Sequence, residues 1–348
     1  ILPEHGGNFN TGRDVPLEHD AGGLPDQGGP VEATATVAVV TDSAASLPIE
    51  LLARYGIRVV PYWVHLGSEA FISGETIEPP EFFRRVRANP EMEVHTGVPA
   101  AAKFAEIYRS LATWAKGIVS IHVAGKQSGT CNAAELAAQD SPVPVVVVDT
   151  ETTAMGEGFV ALEAARAAAE GASLDRVIAK AKNAVPNAGV FALLESVSYA
   201  LKGGRLSSAA GKVGSLLKIQ PLVRVHNNKV SLIGQARRRS KGLETLVERT
   251  VDEAKDDPIH LTVHYAEDEQ EGRSLLDTLK AQLNCVESYL MRVPVELGVH
   301  AGPGSIGVAY YVEREHLGLA QQIEQQFEQL SRLGSQAKEA IRSRLPGS

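Results

Sequence analysis

Four segments of the sequence carry groups that could bind an anion. Thr96 stands in His-Thr-Gly-Val-Pro, Arg205 follows a Gly-Gly pair, and His300 begins His-Ala-Gly-Pro-Gly. The stretch 128–130, Ser-Gly-Thr, precedes a helix-like segment, so one of its hydroxyls would cap that helix and its free amides would be donors. Since a buried anion needs several charge-assisted donors, the set suits a carboxylate or a phosphate. Taken singly, each segment also fits an ion pair, a turn or a cap.

These residues do not form a recognisable catalytic set. Ser128 follows a strand, but the nucleophile elbow of α/β hydrolases needs GxSxG, and the upstream glycine is Gly125, three residues away. No other nucleophile and no paired carboxylates are evident. We therefore predict a binding protein without a catalytic residue. An α/β enzyme acting on a small carboxylated or phosphorylated substrate remains the alternative.

Two glycine-rich stretches look like dinucleotide-binding fingerprints. Residues 302–307 read GxGxxG but precede a strand-like run, and residues 156–161 read GxGxxA but follow a loop longer than the motif requires. Glycines that permit close packing explain both better. His260 and His264 share one face of a predicted strand, which could begin a metal site, but no third ligand is apparent. We predict no metal and no cofactor, and interpret both histidines as core or surface residues.

Composition excludes two classes of protein. Hydrophobic residues make up 44% and charged residues 22% of 348, and no apolar run approaches the roughly 18 residues that span a membrane. The net charge of −8 argues against a nucleic-acid binder, which usually has a basic excess. Two distant cysteines without zinc spacing indicate reduced, buried thiols and a cytoplasmic protein.

The patterns along the chain predict an α/β fold in two domains between two terminal segments. Residues 1–35 hold six acidic residues and one arginine and predict a flexible acidic extension. Short apolar runs alternate with helix-like stretches over 36–188, which predicts a parallel sheet covered on both faces. Over 189–312, a hairpin turning at 227–228 mixes with helices and predicts an α+β domain with a mixed sheet. Apolar residues at helical spacing predict a helical tail over 313–348.

Several motifs in a fixed order carry a resemblance to a known family. They are Thr41-Asp42-Ser43 with Leu47-Pro48, Ser73-Gly74-Glu75 with Phe82, Thr96 with Pro99, Ser128-Gly129-Thr130, Asp149 with Gly156 and Gly158, Leu201-Lys202-Gly203-Gly204-Arg205-Leu206, Leu217-Lys218-Ile219-Gln220-Pro221, and His300-Ala301-Gly302-Pro303-Gly304. From about Val37 to Val312 the chain resembles the DegV family of bacterial fatty-acid-binding proteins. The Gly-Gly-Arg and His-x-Gly-Pro-Gly pair is the most specific part.

The resemblance implies a fold of two α/β domains and a lipid carrier. A single long-chain fatty acid would lie in an apolar tunnel, with its carboxyl group at the domain junction. Thr96, Arg205 and His300 would hold that carboxylate directly or through water. The carrier itself would have no metal and no catalytic residue. It would present the carboxyl group to a partner, a fatty acid kinase or an acyltransferase.

The sequence departs from the family pattern where two hydroxyl donors are expected. Relatives commonly have a Ser-Ser pair where Ala124 and Gly125 stand, and often a serine at Gly97. We expect a water to replace the missing hydroxyl; a head group bulkier than a free acid is an alternative. The backbone could also contribute at Ala124, Gly125, Ser128, Gly129 and Thr130. On this basis Gly125→Ser should leave the fold intact and preserve or tighten binding.

Overall fold

The computed structural model describes residues 36–196, 199, 204 and 219–314. The predicted acidic extension, most of the predicted helical tail, and Arg205 lie outside these residues.

Strands and helices alternate along the first half of the described chain, as the apolar runs predicted. The strands are β1 (Val37–Asp42), β2 (Arg58–Val60), β3 (Trp63–Leu66), β4 (Glu69–Ile72), β5 (Val94–Gly97), β6 (Gly117–His122), β7 (Val145–Asp149), β8 (Ala188–Leu193), β9 (Gln220–His226), β10 (Lys229–Ala236), β11 (Ile259–Tyr265), β12 (Cys285–Arg292) and β13 (Ile306–Val312). The helices are α1 (Ile49–Tyr55), α2 (Pro79–Ala88), α3 (Ala101–Leu111), α4 (Thr130–Ala138), α5 (Ala154–Ala169), α6 (Leu174–Ala184), α7 (Arg239–Ala254), α8 (Glu269–Lys280) and α9 (Val295–Ala301).

The predicted parallel sheet is confirmed, with the strand order β2-β1-β6-β7. All six residues of β1 are buried, which explains its continuous apolar run. Val37 and Val39 pack into the core beneath α5 and α6, whereas Ala38 and Val40 pack into the core beneath α3 and α4. Helices therefore cover both faces of this sheet.

The predicted mixed sheet is also confirmed, with six strands in the order β10-β9-β8-β13-β11-β12. Only β11 and β12 run parallel; the other neighbours are antiparallel. Asn227 and Asn228 form the predicted hairpin turn between β9 and β10, both with positive φ angles of 51° and 58°.

Helix α5 lies between the two large sheets, where it contacts β1, β8 and β13. A Cβ atom at Gly156 would lie 3.0 Å from the Gly189 carbonyl, and one at Gly158 would lie 2.7 Å from the Ala45 carbonyl. These glycines are therefore packing residues, as interpreted from the sequence. The division into domains at residue 188 stays a prediction.

A third sheet was not predicted from the sequence. It has three antiparallel strands in the order β4-β3-β5, and α2 packs on it through Phe82 and Phe83. Its strands have only four residues each, too few to show a clear pattern. The sheet matters because β5 carries Thr96. Among the described residues, no helix combines the length and apolar character needed to cross a membrane.

Candidate functional site: a cavity beside the parallel strand ends

A cavity lies beyond the carboxyl ends of the parallel strands, where ligands bind in open α/β sheets. The volume of the cavity that is open to the centre of a water molecule is about 170 Å³. One water needs roughly 10–15 Å³ of such space, so the cavity could hold a ligand of on the order of ten heavy atoms or more. Its apolar lining comes from Ala44, Val123, Ala124, Ala154, Val190, Ala192, Leu194, Val223, Val225, Val230, Val293, Pro294, Leu297, Ala301, Ile306 and Gly307.

The structure brings several of the sequence-predicted site residues to this cavity. Thr96, Ala124, Ser128 and His300 line it, from β5, from the loop after β6 and from the last turn of α9. Gly125, Gly129 and Thr130 are not among the described lining residues, and Arg205 lies outside the described part of the chain. The role of each in binding a carboxylate stays a prediction.

The hydroxyls of Ser128 and Thr130 do not cap α4, contrary to the sequence-based expectation. Gly129 is the N-cap residue and makes no side-chain cap. The two hydroxyls instead contact each other at 2.8 Å and the Tyr62 hydroxyl at 2.7 and 2.5 Å. The hydroxyls of Ser128 and Thr130 therefore pair with the Tyr62 hydroxyl and not with the free amides at the start of α4.

Tyr62 itself was missed by the sequence analysis, although it lines the cavity. Burial, and next the charge of Asp42, raise the pKa of Tyr62 well above its ordinary value, so the phenol stays protonated. It lies two residues after β2, at the same sheet edge as the loop after β6. That position was the only signal in the sequence.

Glu296 on α9 is a second lining residue that sequence reasoning missed. It is 2% exposed, and the hydroxyls of Ser43 and Ser73 donate to its two carboxylate oxygens. Burial raises the pKa of Glu296, although both hydroxyl donors oppose the rise. The bond from Ser43 joins residues 253 positions apart, so only the fold reveals this contact.

Gly125 does not line the cavity, and its backbone amide is held by the carboxylate of Asp149. Its amide donates to Oδ1 of Asp149 at 3.0 Å, and Oδ2 of Asp149 accepts from the Asn228 amide at 2.8 Å. Asn228 also accepts from the Lys126 amide at 3.1 Å, which ties the β9–β10 turn to the loop after β6. A Cβ atom at Gly125 would lie 2.7 Å from Asp149 Oδ2. The structure therefore argues against a harmless Gly125→Ser, because the serine would press on a carboxylate held by three donors.

A buried Ser-His-Asp arrangement lies within the parallel sheet, and its residues are not among those that line the described cavity. His122 Nδ1 lies 3.0 Å from Asp42 Oδ2, and Nε2 lies 2.7 Å from the Ser120 hydroxyl. Tyr108 donates to Ser120 at 2.7 Å, and all four side chains are fully buried. No substrate can approach Ser120 in this conformation, so the arrangement stabilises the sheet rather than supplying a nucleophile.

Glu157 approaches the same cluster, and one ligand atom each from Asp42, His122 and Glu157 lies within 4.8 Å of the others. Burial, and next the charge of Asp42, raise the pKa of Glu157 well above its ordinary value. A protonated Glu157 lowers the repulsion between the two carboxyl groups. The Thr41 hydroxyl also donates to Glu157, at 3.1 Å.

His260 and His264 are core residues, as interpreted from the sequence, with exposures of 1% and 4%. His260 contacts Glu287 and Glu313, both at 2.7 Å. His264 lines the cavity, and its Nε2 accepts from the Met155 amide at 3.3 Å. The two rings therefore have separate partners. Cys131 is buried as predicted, whereas Cys285 is only partly buried, and both are free thiols.

Comparison with known families and chains agrees with the resemblance seen in the sequence. A family model described as an uncharacterised protein of the DegV family matches residues 36–313. A DegV domain-containing protein of Streptomyces coelicolor is 34% identical over 274 residues, covering 78% of this chain and 97% of the relative. Protein DegV of Bacillus subtilis is 29% identical and covers 79% of this chain and 98% of the relative.

Solved structures show the same fold. A DegV family protein from Thermus thermophilus, described by its fatty acid binding, aligns with a TM-score of 0.75 and 31% identity, covering 80% of this chain and all of that one. DegV from Bacillus subtilis, described as a fatty acid binding protein, aligns with a TM-score of 0.72 and 26% identity, again covering 80% of this chain and all of that one.

Proposed function

The chain belongs to the DegV family, and on that premise we propose that it binds a single long-chain fatty acid in the cavity and acts as a carrier in the cytoplasm rather than as an enzyme. The observation that carries this proposal is the predominantly apolar cavity with Thr96 and His300 in its wall. The relatives from Thermus thermophilus and Bacillus subtilis, described as fatty acid binding, support the same ligand class.

The energetics favour an acyl chain. Burying a 16-carbon tail would contribute roughly 12 kcal/mol at about 0.8 kcal/mol per CH₂ group. Association costs are on the order of 4–15 kcal/mol, so the tail supplies most of the affinity. The polar residues then set orientation more than strength.

The carboxylate would lie where the predicted donors meet. Thr96 and His300 line the cavity, and Arg205 is proposed to join them, directly or through water. Tyr62 adds a protonated hydroxyl at the same wall. Glu296 lines the cavity as well, and its raised pKa reduces the repulsion that an incoming carboxylate would meet.

The carrier would present the carboxyl group to a fatty acid kinase or an acyltransferase. The family resemblance is the main support for such a partner. In addition, Trp63 and Val98 flank the strand that carries Thr96, and they are 41% and 39% exposed. Exposed apolar side chains of this size beside a binding site suit a transient protein contact.

Titration of the delipidated full chain tests the proposed ligand. Palmitate should bind with a stoichiometry of one, whereas methyl palmitate, which lacks the carboxylate, should bind about tenfold or more weakly because the donors then lose a charged partner. Equal affinity for the acid and the ester would contradict the proposed head-group site. Failure of both to bind would contradict the proposed function.

A kinase assay tests the proposed partner. The loaded carrier, a fatty acid kinase and ATP should yield an acyl phosphate, trapped with hydroxylamine, at a rate that depends on the carrier. Trp63→Ala should slow this transfer while the affinity for palmitate stays unchanged. A rate that is independent of the carrier would exclude the kinase as its partner.

A further inference from the structure

The cavity lining contains two polar groups that the proposed carboxylate site does not use. They belong to Thr153, just before α5, and to His264, near the end of β11, and both line the cavity. Among the residues that the structure describes, neither the Thr153 hydroxyl nor His264 Nδ1 has a hydrogen-bond partner, although both atoms are buried. Buried polar groups nearly always have a hydrogen-bond partner, so two buried groups without one need an explanation.

The tautomer of His264 follows from its hydrogen bond to the Met155 amide. Nε2 accepts from the Met155 amide at 3.3 Å, so in the neutral ring the proton must be on Nδ1. Burial lowers the pKa of His264 to about 4, so the ring is neutral near pH 7. The Arg292 backbone opposes this shift, while Nδ1 has no hydrogen-bond partner of normal length and angle among the described residues. His264 therefore offers a single N–H donor.

The backbone next to Thr153 is held in an unusual conformation. Ala154 has a φ angle of +51°, in the left-handed region that alanine rarely adopts, and it lines the cavity as well. The Met155 amide that follows is the group bonded to His264. Such conformations persist where the surroundings enforce them, and they cluster at ligand sites. The strained backbone at Ala154 and the ring of His264 are thus joined through the Met155 amide and form one local unit.

The immediate surroundings of this unit are apolar. Gly307 lies opposite His264 on β13, and Ile306 and Val293 also line the cavity. An unbranched alkyl chain passing here would leave both polar groups without partners. An oxygen atom on the chain would satisfy them, since it could accept from His264 Nδ1 and exchange a hydrogen bond with the Thr153 hydroxyl.

We infer that the cavity is built for an acyl chain that carries an oxygen function along its length, a hydroxyl or a keto group, which Thr153 and His264 recognise. This inference rests on the proposed fatty acid function and specifies the ligand within that class. The chain oxygen and the carboxylate would be bound at two separate places, which would also fix the register of the chain in the cavity.

A comparison of stearate with hydroxystearates that differ only in the position of the hydroxyl tests the inference. At least one isomer should bind the delipidated chain about three- to tenfold more tightly than stearate, the value of one well-formed neutral hydrogen bond. The keto acid with its oxygen at the same carbon should share this preference. Tight binding of stearate with no preferred isomer would overturn the inference alone, whereas failure of every acid to bind would overturn the fatty acid function too.

Isosteric variants locate the recognition. Thr153→Val keeps the shape and removes the hydroxyl, so it should remove most of the preference, while stearate should bind equally well or more tightly because it no longer buries an unpaired hydroxyl. The matched control is Thr262→Val. The Thr262 hydroxyl is also buried without a hydrogen-bond partner among the described residues, but Thr262 is not among the described lining residues. His264→Phe should also weaken the preference, since only the Thr153 hydroxyl would then remain to pair with the chain oxygen. A preference that survives both Thr153→Val and His264→Phe would contradict the assignment.

Discussion

His260 and His264 lie four residues apart on β11, yet the regions around them are built in opposite ways. His260 contacts Glu287 and Glu313, and Glu287 also accepts from Arg166 at 2.6 Å. His264 accepts a hydrogen bond from the Met155 amide and lines the cavity. The first region is saturated with partners and contributes to the stability of the fold, whereas the second keeps open donors and is suited to binding.

The two regions also shift the pKa of a histidine in opposite directions. Burial alone would lower the pKa of His260, but the hydrogen bonds and charges of Glu287 and Glu313 outweigh it and raise that pKa above its ordinary value. At His264 burial dominates and lowers the pKa to about 4. One strand thus holds a histidine that favours its charged form and another that is kept neutral.

The largest expected effect is on the saturated region. Glu287→Ala would leave Arg166 and the buried His260 without their shared carboxylate, which should cost roughly 3–5 kcal/mol of unfolding free energy. Urea denaturation measures the loss. Glu313→Ala is the matched control, because that carboxylate also contacts His260 but its side chain is 47% exposed, so about 1 kcal/mol or less is expected. Equal losses in the two variants would show that burial does not set the difference.

The two histidines should make stability depend on pH with opposite signs. Between pH 6.5 and about 4 the unfolded chain protonates His264 while the folded chain does not, so stability should fall by about 3 kcal/mol as the pH drops. His264→Phe should flatten this slope. The raised pKa of His260 predicts the reverse: its contribution is complete below 6.5 and is lost as the pH rises through the folded value. Denaturation curves in which His264→Phe leaves the acid slope unchanged would refute the comparison.

In the cavity, loss of a predicted head-group donor should affect binding and not folding. His300→Ala should weaken palmitate binding by about 2 kcal/mol, or roughly 30-fold, because the carboxylate loses a charge-assisted hydrogen bond. Ser305→Ala is a suitable control, since Ser305 lines the same cavity but donates its hydroxyl to the Gly302 carbonyl at 2.7 Å. If isothermal titration finds the same affinity for both variants, His300 does not hold the head group.

The smallest effect is expected where the family serines are missing. Ala124 is buried and lines the cavity, whereas Gly125 faces Asp149. Ala124→Ser should therefore tighten palmitate binding by up to about tenfold, the value of one added hydrogen bond. Gly125→Ser should instead lower stability by displacing the Asp149 carboxylate. Competition binding and thermal unfolding of the two variants would show whether the positions differ in this way.

The sequence predicted those parts of the fold whose patterns are local. The start of β1, Val37–Val40, is continuously apolar because that strand is buried on both faces, and the asparagine pair at 227–228 has the backbone that a hairpin needs. The third sheet escaped prediction because its strands have only four residues each. Patterning thus reveals long or fully buried elements and misses short ones.

The candidate site was predictable only in part, for the same physical reason. Thr96 and His300 stand in distinctive motifs and do reach one cavity. Tyr62, Glu296 and His264 give no such local signal, because their partners come from distant segments, as Ser43 does for Glu296. Gly125 shows the opposite error: its motif position suggested a ligand contact, but a carboxylate 24 residues away determines where it faces.

The central claim is that the cavity holds one fatty acid, and mass spectrometry of the purified chain tests it most directly. Under native conditions the chain should carry an added mass equal to one long-chain fatty acid, and denaturation should release that acid in near-equimolar yield. The mass of the released acid would also show whether it carries an extra oxygen. A native mass equal to that of the bare chain, with no uptake of added fatty acid, would contradict the account.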